Sequence, residues 1–168
     1  VAIVNYGLFW QREEVNWKPG QGGQFRLLGR NGVNKPGLRV ADFREQTGVY
    51  ILYGNYGVFR VGIVTESRLG IRLRDHHTNY SEHEWDRFSW FGFRAVDWSP
   101  DETGVCGLND TRYLDAEAWI RDIESLLIRA MGPTGQRIEN FRYEERWEQV
   151  PESDAVYWLN KVRPAGDD

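Results

Sequence analysis

The chain has 168 residues, 40% hydrophobic, 14% aromatic and 27% charged, with 21 Lys and Arg against 25 Asp and Glu and a formal net charge of −4. A chain of this length buries about 70% of its unfolded surface on folding, so it can build a core without a staple, and its single cysteine, Cys106, excludes an intrachain disulfide and a Cys-rich zinc site. No run approaches the ~18 apolar residues of a membrane span, and the opening VAIVNYGLFWQREE lacks the basic start and long apolar stretch of a secretory signal, so the expectation is a cytoplasmic protein with no membrane partner.

Residues 1–45 mix aromatic positions (Tyr6, Phe9, Trp10, Trp17, Phe25) with KPGQGG and RNGVNKPG, which predicts short strands or a compact loop region, an N-terminal elaboration of the same domain. The QGG piece precedes the strand-like FRLL instead of opening a helix, so it reads as a turn and not as a phosphate-cradling loop. Residues 48–64, GVYILYGNYGVFRVGIV, are two β-rich runs around GNYG, a hairpin signature. A three-residue loop Gly54-Asn55-Tyr56 pairs Tyr53 with Gly57 and places Tyr50 opposite Arg60. Next, Leu69, Arg72, Leu73 and His76 recur at helical spacing and share one face, with Arg72 and His76 one turn apart.

DRFSWFGFRAV is aromatic and β-branched on both faces and predicts a buried central strand, followed by the turn region WSPDETGVCGLND. DAEAWIRDIESLLIRAM is the clearest helix: its apolar residues recur at helical spacing, Asp115 suits the N-cap, and Gly132-Pro133 supplies the stop. Glu124 sits beside its apolar stripe, with Ile120, Leu127 and Ile128 as neighbours, and a carboxylate so placed calls for a metal, an arginine or hydrogen bonds. Residues 143–168 form a C-terminal extension with one further short element before a disordered PAGDD end. Charge is polarised along this order: Arg60, Arg68, Arg72 and Arg74 are interrupted only by Glu66, whereas Glu144, Glu145, Glu148, Glu152 and Asp154 crowd the C-terminal part.

Taken together, Gly48-Val49-Tyr50, Val61-Gly62, Arg72 with His76, Glu124 within ESLLIRAMGP, and Asn140 resemble, in order and spacing, the motifs of the GIY-YIG nucleases, over residues 46–142. The resemblance implies a small α/β (α+β) core, a three-stranded antiparallel sheet flanked by helices, with the N-terminal elaboration added to it. It implies a divalent-metal-dependent endonuclease that hydrolyses DNA phosphodiester bonds with Mg²⁺ or Mn²⁺. In that reading Glu124 holds the metal as a hard oxygen ligand. Arg72 stabilises charge on the phosphate oxygens. Tyr50 positions or activates the attacking water, His76 serves as general base or phosphate contact, and Arg60, Arg74 and Asn140 contact the nucleic acid.

The chain departs from the family pattern where Arg60 stands in place of the second motif tyrosine. An arginine cannot act as a base at neutral pH, so two readings stay open: base work passes to Tyr50 or His76 with Arg60 an added phosphate clamp, or the domain binds DNA or branched nucleic acid without cutting it. A third is a protein-interaction domain using the aromatic N-terminal segment. Plain structural roles stand beside these: Glu124 paired with Arg121 or Arg72, Tyr50 as a sheet aromatic, Arg60 facing solvent, Asn140 in a turn. His76, His77 and His83 with Asp75 and Asp86 match no closed zinc spacing. The aromatics Trp85, Trp90, Phe91, Phe93 and Trp98 read as core, with base stacking the alternative. No separate nucleic-acid-binding module is visible, so sequence specificity falls to loops or to a partner protein.

Overall fold

The computed structural model of the protein describes residues 3–18, 25–31, 39–66, 68–109, 123, 126, 130 and 145–162. Its strands are β1 (Asn5–Gln11), β2 (Leu28–Asn31), β3 (Arg39–Asp42), β4 (Gly48–Gly54), β5 (Gly57–Val64), β6 (Arg87–Gly92), β7 (Val96–Pro100), β8 (Cys106–Leu108) and β9 (Glu145–Gln149). Helix α1 spans Leu69–Asn79, helix α2 spans Glu152–Val162, and a 3-10 turn covers Arg12–Glu14. The nine strands form one sheet in the order β5-β4-β6-β1-β9-β2-β3-β8-β7. It is mixed, because β1 runs parallel to β9 and β3 parallel to β8.

This architecture corrects the expected small three-stranded sheet flanked by helices: the described chain is mostly β. The strands β5, β4 and β6 are one end of the larger sheet. The N-terminal segment supplies β1, β2 and β3, the expected turn region supplies β7 and β8, and the C-terminal extension supplies β9. Most of these added strands are only three to five residues long. They acquire their partners from distant parts of the chain, so packing decides their state more than local pattern does.

Strand β4 is buried along its whole length, as expected for an inner strand covered on both faces. Its alternation separates two cores. Tyr50 and Leu52 join Leu69 and Leu73 of α1, together with Trp10, Phe43, Trp85, Phe88 and Trp90. Val49, Ile51 and Tyr53 join Tyr6, Phe91, Leu126 and Ala130. A smaller third core, Leu28, Val40, Val105, Val150 and Ala155, reaches α2. Of the aromatic set singled out above, Trp85, Trp90, Phe91 and Phe93 are core, whereas Trp98 is 45% exposed beneath the Arg39 guanidinium and stacks on Trp147.

The hairpin forms with a different register from the one expected. Gly54 pairs with Gly57 around a two-residue turn, Asn55-Tyr56, and the ladder shifts between Leu52 and Tyr53, where Phe59 is the extra residue. Tyr50 therefore faces Gly62, and Arg60 faces Leu52. Gly48 opens β4 at φ 146°, where a Cβ would run into the Phe91 carbonyl oxygen, so this position admits no side chain. Among the described residues no helix is long and apolar enough to cross a membrane.

Candidate functional site

Residues directly opposite in a ladder share a face. The observed register thus puts Gly62 and Arg60 on the face of Tyr50 and Leu52, the one that α1 covers. The Tyr50 ring lies across Gly62 so closely that a Cβ there would collide with Tyr50 Cζ and Oη. From that position Tyr50 Oη meets His76 Nε2 at 2.8 Å, with the two ring centroids 5.5 Å apart. Both residues are buried, Tyr50 to 2% exposure and His76 to 6%. Helix periodicity explains the delivery of His76, which follows Leu69 and Leu73 on the buried face of α1.

Burial holds the His76 pKa below its ordinary value, the positive charges of Arg60 and Arg72 depress it further, and Asp75 opposes them. A neutral imidazole at neutral pH results, and in the tautomer with the proton on Nδ1 its Nε2 accepts from the Tyr50 hydroxyl. Arg60 and Arg72 are themselves exposed, so the buried phenol–imidazole pair lies at the base of an arginine-bearing surface.

Two residues absent from the expected set complete this arrangement. Tyr80, the C-cap of α1, accepts a hydrogen bond at Oη from Arg60 Nη1 (3.2 Å), and its ring sits 5.7 Å from His76 and 5.3 Å from Phe59. Arg12 holds the end of the helix. Its Nη2 donates to the carbonyls of His77 and Tyr80, Nη1 to that of Trp85, and Nε to His77 Nδ1, while its guanidinium lies 4.4 Å from the Trp85 ring. Trp85 Nε1 adds a bond to the His76 carbonyl. Carbonyls at a helix C-terminus lack partners within the helix, and here a buried arginine and an indole from outside the helix supply them. In sequence, Arg12 within QREE looks like a surface charge and carries no local signal of its position, whereas Tyr80 stands four residues after His76, one turn further along the same face, a spacing that could have found it.

The remaining expected residues divide. Arg74 turns toward the Phe25 ring, with Cζ 5.9 Å from its centroid, instead of joining the Tyr50–His76 pair. Glu124 and Asn140 lie outside the described residues. From the stretch around Glu124, Ile123 is exposed, and Leu126 and Ala130 pack with Val49 and Ile51, on the face of β4 opposite Tyr50.

A divalent ion of the Mg²⁺ class needs several hard oxygen donors. Around Tyr50 and His76 the described side chains are guanidiniums, an imidazole and phenols, with Asp75 the carboxylate that acts on His76. Among the described residues no group of three or more His, Cys, Asp or Glu is placed to hold a metal ion. The described donors suit an anion, and Glu124, the expected ligand of a divalent cation, lies outside the described residues. Comparison with protein-family models, with curated proteins and with solved structures finds no match to the chain.

Proposed function

We propose that the chain is an endonuclease that hydrolyses DNA phosphodiester bonds, related to the GIY-YIG nucleases through its site. The observation that carries this reading is the 2.8 Å contact between Tyr50 and His76, whose imidazole is kept neutral by burial and by Arg60 and Arg72. In the proposed reaction a water attacks the phosphorus and gives its proton to Tyr50 Oη, as Tyr50 passes its own proton to His76 Nε2. The bond to the 3′ oxygen breaks, and that oxygen takes a proton from solvent. Arg60 and Arg72 hold the non-bridging oxygens while negative charge builds on them, the task for which a planar multi-donor cation is suited. The imidazolium formed at His76 later returns its proton to solvent.

A supercoiled-plasmid nicking assay in Mg²⁺, Mn²⁺ or EDTA tests this, with wild type beside His76→Ala, Arg72→Ala and Glu124→Ala. Nicking by wild type that is lost in His76→Ala and Arg72→Ala supports the reading, and undiminished turnover by either variant sinks it. The EDTA arm and Glu124→Ala decide whether a metal takes part.

A second reading is favoured by one observation: Tyr50 and His76 are both buried and satisfy each other. On this reading the pair is a structural support, and the exposed arginines bind nucleic acid without cutting it. Salt-sensitive DNA binding with no nicking under any metal condition would select it.

A further inference from the structure

We propose that Tyr80 is a second substrate-contacting phenol of the site, which with Arg60 forms one two-part clamp on a phosphate oxygen of the nucleic acid. The inference rests on the phosphate-handling reading above and extends it to a residue outside the sequence motifs.

Tyr80 is held from three directions. Its backbone N–H donates to the His76 carbonyl at 3.0 Å, its carbonyl accepts from the buried Arg12 at 2.9 Å, and its ring sits between Phe59 and His76. The hydroxyl therefore projects from a fixed point at the end of α1. Arg60 Nη1 donates to the Tyr80 oxygen, which leaves the phenolic proton to be given elsewhere. Among the described residues no acceptor takes that proton. A guanidinium has five N–H donors, and the bond to Tyr80 uses one of those of Arg60. The pair thus presents an O–H and further N–H donors side by side at the surface. An anionic oxygen is the acceptor that such a set recognises, and charge-assisted bonds of this kind are the stronger ones. Tyr80 also fixes the direction of an arginine that, on an exposed edge strand, has many rotamers to choose from. A clamp with its geometry set before binding loses less entropy when the phosphate arrives.

The experiment is a double-mutant cycle on equilibrium binding of a short labelled DNA duplex, at low salt and in EDTA, with full-length wild type, Tyr80→Phe, Arg60→Ala and the double variant. Tyr80→Phe keeps the ring and removes only the hydroxyl, so its melting temperature should match wild type. Binding by Tyr80→Phe should weaken about fivefold, the effect of one lost hydrogen bond. The loss in the double variant should be smaller than the sum of the two single losses, because Tyr80 both contacts the phosphate and orients Arg60. The slope of log affinity against log salt should fall by about one in Arg60→Ala and stay at the wild-type value in Tyr80→Phe. Wild-type affinity in Tyr80→Phe, independent effects in the cycle, or a loss of binding matched by a lowered melting temperature would each overturn the role of Tyr80 while leaving the phosphate-handling reading in place. No binding by wild type would overturn that reading, and this inference with it.

Discussion

Tyr50 and Gly62 face each other across the β4–β5 ladder, and the phenol ring fills the space a side chain at position 62 would need. The bareness of Gly62 thus lets the Tyr50 ring lie across it and reach His76.

Gly62→Ala should displace the Tyr50 ring and break its bond to His76. Overpacking of this kind typically costs about 1–3 kcal/mol. Urea denaturation should register that loss, and nicking should fall well below wild type. A stable, fully active Gly62→Ala variant would show that the Tyr50–His76 contact is dispensable.

His76 sets a pH dependence whose sign follows from its environment. Its folded pKa lies below the ordinary 6.5, through burial first and then Arg60 and Arg72. The unfolded chain therefore binds this proton more readily, so the stability that neutral His76 contributes is fully present above about pH 6.5 and is lost as pH falls through the lowered folded value. Arg60→Ala removes one of the two cations and should move the His76 titration, followed by NMR of the ring protons, to higher pH. The acid limb of nicking should move the same way. Burial remains in the variant, so the shift is partial.

Arg12→Ala should unpair the carbonyls of His77, Tyr80 and Trp85 together and uncover the Trp85 ring. Buried acceptors left without donors make this one of the severe substitutions, at about 3 kcal/mol. Chemical denaturation measures it. A cost under about 1 kcal/mol would mean that water replaces the guanidinium easily.

The two exposed arginines of α1 should separate in function. Arg72 acts on His76, whereas Arg74 lies by Phe25. Arg72→Ala should reduce nicking at least tenfold, and Arg74→Ala should change it less than threefold, about the scale of one screened surface charge. Steady-state rates on the same plasmid substrate compare them, and equal losses would place Arg74 in the site as well.

The locally encoded parts of this molecule were legible in its sequence. The hairpin and α1 follow from an apolar run around a turn and from an i, i+3, i+4, i+7 face, and His76 lands on the buried side of α1 as that spacing requires. The hairpin register was not legible, because the bulge at Phe59 inserts a residue into a strand whose apolar residues stand on both faces around Arg60 and so set no alternation. The extent of the sheet escaped for another reason. Strands such as Leu28–Asn31 and Cys106–Leu108 are too short to establish a period, and Glu145–Gln149 carries mostly polar residues. Arg12 reaches the site only through tertiary contacts, to residues 65 and 68 positions away, whereas Tyr80 follows His76 by one helical turn and its place was within reach of the spacing.

The parallel pairing of β1 with β9, Asn5 opposite Glu145, joins strands from opposite ends of the described chain in the middle of the sheet. During synthesis β1 must therefore wait for β9, and until it emerges the two half-sheets keep an open inner edge. A topology so dependent on distant pairing folds slowly, and the waiting edge is where premature association between nascent chains would begin.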